Sequence, residues 1–176
     1  MTDEYAYEMA RDCFSSSSVI QVPNNYLQKE VELAQSLRTK ECREVIENIL
    51  VIGSPERDKL LRPNYLEFSA IEFLMSNLNK INLSKHLINI SLRLHPAEPL
   101  DKYDFMQNKY QHLVTEIKIS KNNELYEDIA WADLVVGLSS YALVVSLACD
   151  VPTMSILPPG PNPFALPFKK ITQLRD

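Results

Sequence analysis

From residue 48 onward, two hydrophobic rhythms alternate along the chain. Short, nearly continuous apolar runs occur in NILVIGS (48–54) and DLVVGLS (133–139), and strand-length mixed runs in LVTEIKIS (113–120) and VPTMSILP (151–158). LINISLRL (87–94) alternates instead, with Ile88, Ile90, Leu92 and Leu94 in phase. Each run has the length and β-branched content of a strand. Between them the spacing changes. Phe68, Ile71, Leu74, Met75, Leu78 and Ile81 form a helical stripe. HPAEPLDKYDFMQNKYQ predicts a proline-bound turn and then a helix, and SYALVVSLACD predicts another helix. NNELYEDIAWA predicts a short helix capped by Asn122 or Asn123. Strands separated by helical crossovers call for parallel pairing. Strands as apolar as ILVI and LVVGL are buried on both faces. The pattern predicts an α/β fold: a doubly wound, mostly parallel sheet of about five strands, with KKITQL as a weak final strand.

Residues 1–47 read differently. They predict a short helix over 4–13, a strand at SVIQV (18–22) and a helix from Leu27 to Leu37 that runs on toward residue 48. The expected organisation is an N-terminal arm or linker remnant over 1–47 and a Rossmann-like domain over 48–176.

Composition narrows the partners. Of 176 residues, 45% are hydrophobic and 23% charged, enough to fill a core, and the net charge of −5 lacks the basic excess of a general nucleic-acid binder. Cys13, Cys42 and Cys149 are far apart and odd in number, which suits reduced thiols and a cytoplasmic location. MTDEYAYEMARD is too charged for a signal peptide, and Leu134–Leu147 is too short and interrupted to be an integral membrane segment. His86 and His112 have no ligand-spaced companions, so no metal site is expected. Trp131 is expected to pack its helix on the sheet, and Cys149 to be inert core.

In open α/β sheets, ligands bind beyond the carboxyl ends of the strands. Two features fall there. GLSS follows the strand starting at Leu134, so Ser139 and Ser140 stand where a helix begins. Free first-turn N–H groups and the positive end of the helix dipole suit a phosphate there. The same serines read equally as an ordinary N-cap. Gly137, one of three glycines in the chain, is expected to let backbone or ligand approach closely. RLHPAE follows the strand ending at Leu94. Arg93 and His95 are candidate phosphate donors, and Pro96 stiffens their turn. Arg93 reads alternatively as an ion-paired strand residue and His95 as a turn residue. Glu98, Lys102 and Tyr103 continue the loop. Glu124, Glu127 and Asp128 make an acidic helix face, either solvent surface or the source of one carboxylate for a ribose hydroxyl.

RLHP after one strand, then WADLVVGLSS and a proline-closed strand, resembles the C-terminal nucleotide-sugar half of GT-B-fold glycosyltransferases, bacterial sialyltransferases and polysialyltransferases above all. The resemblance covers roughly 48–176. It implies that His95 and Pro96, with Ser139 and Ser140, contact the phosphate of a nucleotide-sugar donor, a CMP-sugar in the first place with a UDP-sugar as the alternative. The family's acidic base lies in an Asp/Glu-Asp/Glu-Gly motif, and none of Gly53, Gly137 or Gly160 follows a carboxylate. At this length the chain is expected to be one half of such an enzyme, inactive alone, working with a separate half-domain or as a homo-oligomer. The alternatives are a non-catalytic nucleotide- or partner-binding module and a nucleotide-sugar epimerase-like domain.

Overall fold

The computed structural model describes residues 25–38, 45–54, 65–81, 88–96, 98–160, 164–166 and 168–175. The expected helix at 4–13, the strand at 18–22, Cys13, Cys42 and His86 lie outside them. Six parallel strands form one sheet: β1 (Asn48–Ile52), β2 (Asn89–Arg93), β3 (Glu116–Ile119), β4 (Leu134–Gly137), β5 (Thr153–Ser155) and β6 (Thr172–Gln173), in the order β3-β2-β1-β4-β5-β6. The weak final strand is the sixth, at the edge. This is the Rossmann-like, doubly wound arrangement.

Among the described residues, five α-helices cover the two faces: α1 (Asn25–Leu37), α2 (Tyr65–Ser76), α3 (Asp104–Tyr110), α4 (Leu125–Trp131) and α5 (Tyr141–Ala148). Strand alternation sends side chains to opposite faces. Ile49, Val51, Ile90, Leu92 and Val136 therefore pack with Ile71, Leu74 and Met106 of α2 and α3. Leu50, Ile52 and Val135 face the other way, toward Ala34, Ile129 and Leu143 of α1, α4 and α5. β1 and β4 are buried at every position, as their unbroken apolar runs require. Edge strand β3 instead exposes Glu116 and Lys118. At the amino rim, Asp133 Oδ2 accepts from the Asn48 N–H at 2.9 Å, and Asn89 Nδ2 donates to Asn48 Oδ1 at 3.1 Å, which fixes the register of three strands.

α1 ends at Leu37 and does not continue to residue 48: residues 45–47 are already non-helical as they enter β1. The helix packs on α4 and α5. α5 ends with Asp150 at φ 56, where the Val151 N–H reaches the Ser146 carbonyl at 3.1 Å and the Asp150 N–H reaches that of Leu147 at 3.1 Å. That pair of bonds satisfies carbonyls left open at the helix end. Trp131 packs against the core on the α4 side, as expected, with Lys118 over its ring. Cys149 is buried, and burial pushes its thiol up to about 11, which makes it a poor nucleophile. Among the described residues no helix is long and apolar enough to cross a membrane.

Glu30 on α1 is buried, and burial followed by the charge of Glu124 holds its carboxyl above the usual range. A raised folded-state value means a contribution that is complete below the unfolded pKa and lost as pH rises through the folded one. Glu30→Gln is expected to raise the melting temperature at pH 7. The gain should shrink as pH falls through the raised Glu30 value and vanish below the ordinary glutamate range, where both forms carry a neutral side chain. Melts of the two proteins across pH 4–8 check it.

Candidate functional site at the strand ends

The chain runs outward from β1 to β2 and β3, then crosses the sheet to β4 on the other side of β1. The loops leaving β1 and β4 therefore diverge, and a crevice opens at their carboxyl ends. A cleft of ≈ 480 Å³ lies there, walled by Gly53 and Ser54 after β1, by Leu94–Pro96 after β2, and by Ser139 and Ser140 after β4. Three segments about 40 residues apart in sequence thus meet in one cavity. His95 and Pro96 are exposed at its mouth, and Ser139 and Ser140 are half-buried.

Ser140 is the N-cap of α5, with extended backbone at φ −94 and ψ 156. An N-cap serine normally turns its hydroxyl onto an N–H of the first turn. Here no such bond forms. The Ser140 Oγ is buried and has no hydrogen-bond partner among the described residues. A buried hydroxyl without a partner is costly, and such groups often mark a missing ligand or water. Ser140 thus occupies the N-cap position without making the side-chain bond that usually accompanies it.

Arg93 also lines the cleft, but its guanidinium is engaged elsewhere. Nη1 pairs with Asp128 Oδ2 at 2.5 Å and reaches the carbonyls of Asn122 and Glu124, each at 3.2 Å, while Nη2 donates to the Asn123 carbonyl at 3.0 Å. Asp128 is 2% exposed, so it is not part of a solvent face. It also accepts from Ser120 Oγ at 2.6 Å and from Asn122 Nδ2 at 2.7 Å. The cap of α4 is Glu124, not Asn122 or Asn123. Glu124 and Glu127 form a reciprocal capping box, which satisfies two first-turn donors at once. Asp128 thus holds α4 against the end of β2, while Glu124 and Glu127 close the first turn of α4 itself.

Gly137 has no positive φ, and a Cβ there would meet Ile52 and Leu143 at 3.4 Å, an ordinary contact. The backbone reason expected for a glycine is therefore absent at Gly137. It applies at Gly53. A Cβ on that residue would stand 2.9 Å from the Arg93 carbonyl oxygen and 3.0 Å from the Tyr103 hydroxyl. The Gly53 N–H donates to the same carbonyl at 2.8 Å, drawing the loop after β1 against β2.

Behind Gly53 lies a cluster that no sequence motif marks. Glu67, in the first turn of α2, is 4% exposed. It accepts from the Ser54 N–H at 2.8 Å, from the Tyr103 hydroxyl and from Lys102 Nζ. Lys102 also pairs with Glu98 at 3.0 Å. Burial, then the charge of Glu67, pushes the Tyr103 phenol well above its ordinary value, so it remains a donor. The available signal was phase. Glu67 falls in register with Ile71 and Leu74 on the apolar stripe of α2, and Lys102 in register with Met106 and Tyr110.

No known family model and no curated protein matches the chain. Solved structures similar to it include two from Thermosulfurimonas dismutans KpsC. One is a beta Kdo 2,7 transferase, 20% identical, with a TM-score of 0.45 over 85% of this chain and 46% of that one. The other is a beta Kdo 2,4 transferase, 11% identical, with a TM-score of 0.39 over 74% of this chain and 43% of that one. The chain spans less than half the length of either. Its own strand order and connectivity match one Rossmann-like half of a GT-B fold.

Proposed function

We propose that this chain is the donor-binding half of a nucleotide-sugar glycosyltransferase, sialyltransferase-like in its use of a CMP-sugar. The observation that carries the reading is the unpartnered Ser140 hydroxyl at the start of α5, in the wall of a cleft at the switch point of the sheet. A donor phosphate fits there. It would take the Ser139 and Ser140 hydroxyls together with first-turn N–H groups of α5. His95, on the opposite wall, donates to the same phosphate and stabilises the charge that grows on the departing nucleotide. Pro96 holds that turn rigid. Arg93 acts indirectly by fixing the end of β2 against α4. The acceptor's base comes from a second half-domain or partner, so the chain alone transfers little sugar.

Calorimetric titration with CMP, UDP and their sugars tests this. CMP should bind the wild type. His95→Ala and Ser140→Ala should each weaken it by about tenfold or more, in line with the loss of a charge-assisted hydrogen bond. Ser140→Ala should leave the melting temperature unchanged or higher, because it removes a buried hydroxyl that bonds to nothing. Binding of UDP-sugars with no response to CMP would favour the epimerase-like reading. No nucleotide binding at all would favour a partner-binding module. Robust sugar transfer by the isolated chain would overturn the half-enzyme reading.

A further inference from the structure

Glu67 and Lys102 form a buried ion pair, with side chains 5% and 2% exposed, and neither lines the cleft. Such pairs seldom add stability over a well-packed apolar pair, because desolvation offsets the attraction. Their connections give the pair another role. Glu67 holds the Ser54 N–H, which belongs to the wall after β1. Through Lys102 it reaches Glu98, whose own N–H donates to the His95 carbonyl at 2.9 Å. Through Tyr103 it grips the far end of the same loop. One carboxylate thus joins the two cleft walls contributed by adjacent strands.

We propose that Glu67, acting through Lys102 and Tyr103, is a positioning residue that sets the placement of His95 and Ser54 across the cleft. The proposal rests on the nucleotide-binding reading for its effect on affinity, but the ordering of the loop can be measured without any ligand. Glu67 does not touch the nucleotide. Its charge fixes where the 95–103 turn stands relative to the end of β1, and so where the imidazole meets an anion held at α5.

The test uses two variants of the whole chain. Glu67→Met combined with Lys102→Met replaces both charges by apolar groups of similar length, an exchange that is often neutral for the pair itself. It also leaves the Ser54 N–H and the Tyr103 hydroxyl without their acceptor, so this double variant should melt below the wild type while still folding. Its amides from His95 to Tyr103 should nevertheless exchange with solvent about tenfold faster, and its CMP affinity should fall about tenfold. Wild-type exchange and affinity in that variant would overturn the proposal. If the double variant does not fold, Glu67→Gln decides the matter in a cycle with His95→Ala. A positioning role predicts about a tenfold loss of CMP affinity in the wild-type background and under twofold when His95 is already alanine. Equal losses in both backgrounds, or none, would sink it. Should the wild type bind no CMP, the nucleotide reading fails. The amide exchange of residues 95–103 in Glu67→Gln then discriminates by itself: faster exchange supports positioning, and unchanged exchange refutes it.

Discussion

Asp128→Ala will remove about 3–5 kcal/mol of folding stability, the usual cost of stripping one partner from a buried ion pair. Three donors converge on this carboxylate: Arg93 Nη1 at 2.5 Å, Ser120 Oγ at 2.6 Å and Asn122 Nδ2 at 2.7 Å. Arg93 is one-fifth exposed, so water can reach only part of the guanidinium left behind. A single domain has roughly 5–15 kcal/mol to lose in total, so the variant should be partly unfolded under mild denaturant. Asp128→Asn keeps the shape and one acceptor oxygen while losing the charge and the second acceptor, and should cost less. Urea titrations of the three proteins give the comparison. A shift below about 1 kcal/mol for the alanine variant would place the Arg93–Asp128 pair among weak surface contacts. It would also undo the indirect role assigned to Arg93, because β2 and α4 would then be held together by something else.

Gly53→Ala should cost about 1–3 kcal/mol, and Gly53→Val more, as overpacking into a filled space does. The reason is the identity of the neighbours. The nearest, at 2.9 Å, is a backbone carbonyl on β2, which cannot swing away as a side-chain tip would. The next two, at 3.0 and 3.3 Å, are the Tyr103 hydroxyl and the Glu67 carboxylate, both tied to each other. Relief therefore requires the loop after β1 to lift from β2, which opens the cleft wall at Ser54. Gly137→Ala is the control. Its Cβ would make ordinary contacts, and alanine has less backbone entropy to lose than glycine, so its stability should stay within about 0.5 kcal/mol of wild type or rise. Melting curves for the two alanine variants settle the ranking. Equal losses at both glycines would contradict it.

The layout of the sheet was legible because it depends on local rhythm. NILVIGS and DLVVGLS must be central strands, since every residue of β1 and β4 needs apolar cover. LINISLRL carries its phase into the pairing of Ile49 with Ile90 and Val51 with Leu92, which share one face. Strand-then-helix alternation made the sheet parallel, and a parallel open sheet puts its loops at one rim. His95, Ser139 and Ser140 each follow a strand end, and all three line the cleft at the switch point. Helix caps were less legible. Asn122 and Asn123 are good cap residues in isolation, but their carbonyls are drawn to Arg93 and the helix starts one residue later, at the Glu124 box.

Periodicity and turn chemistry, which act over a few residues, were enough to specify an α/β chain with two buried faces and a polar rim. They could not say which glycine was indispensable, which charges were buried or where Arg93 would point. Those outcomes depend on partners 35 or 36 residues away, as for Arg93 with Asp128, Lys102 with Glu67 and Tyr103 with Glu67. Only the crossover connections bring such pairs within bonding distance. Once there, a low-dielectric interior makes each pairing strong and each omission costly. A carboxylate in phase with an apolar stripe was the trace that Glu67 left in the linear order of residues. Its meaning came from the two loops that close over it.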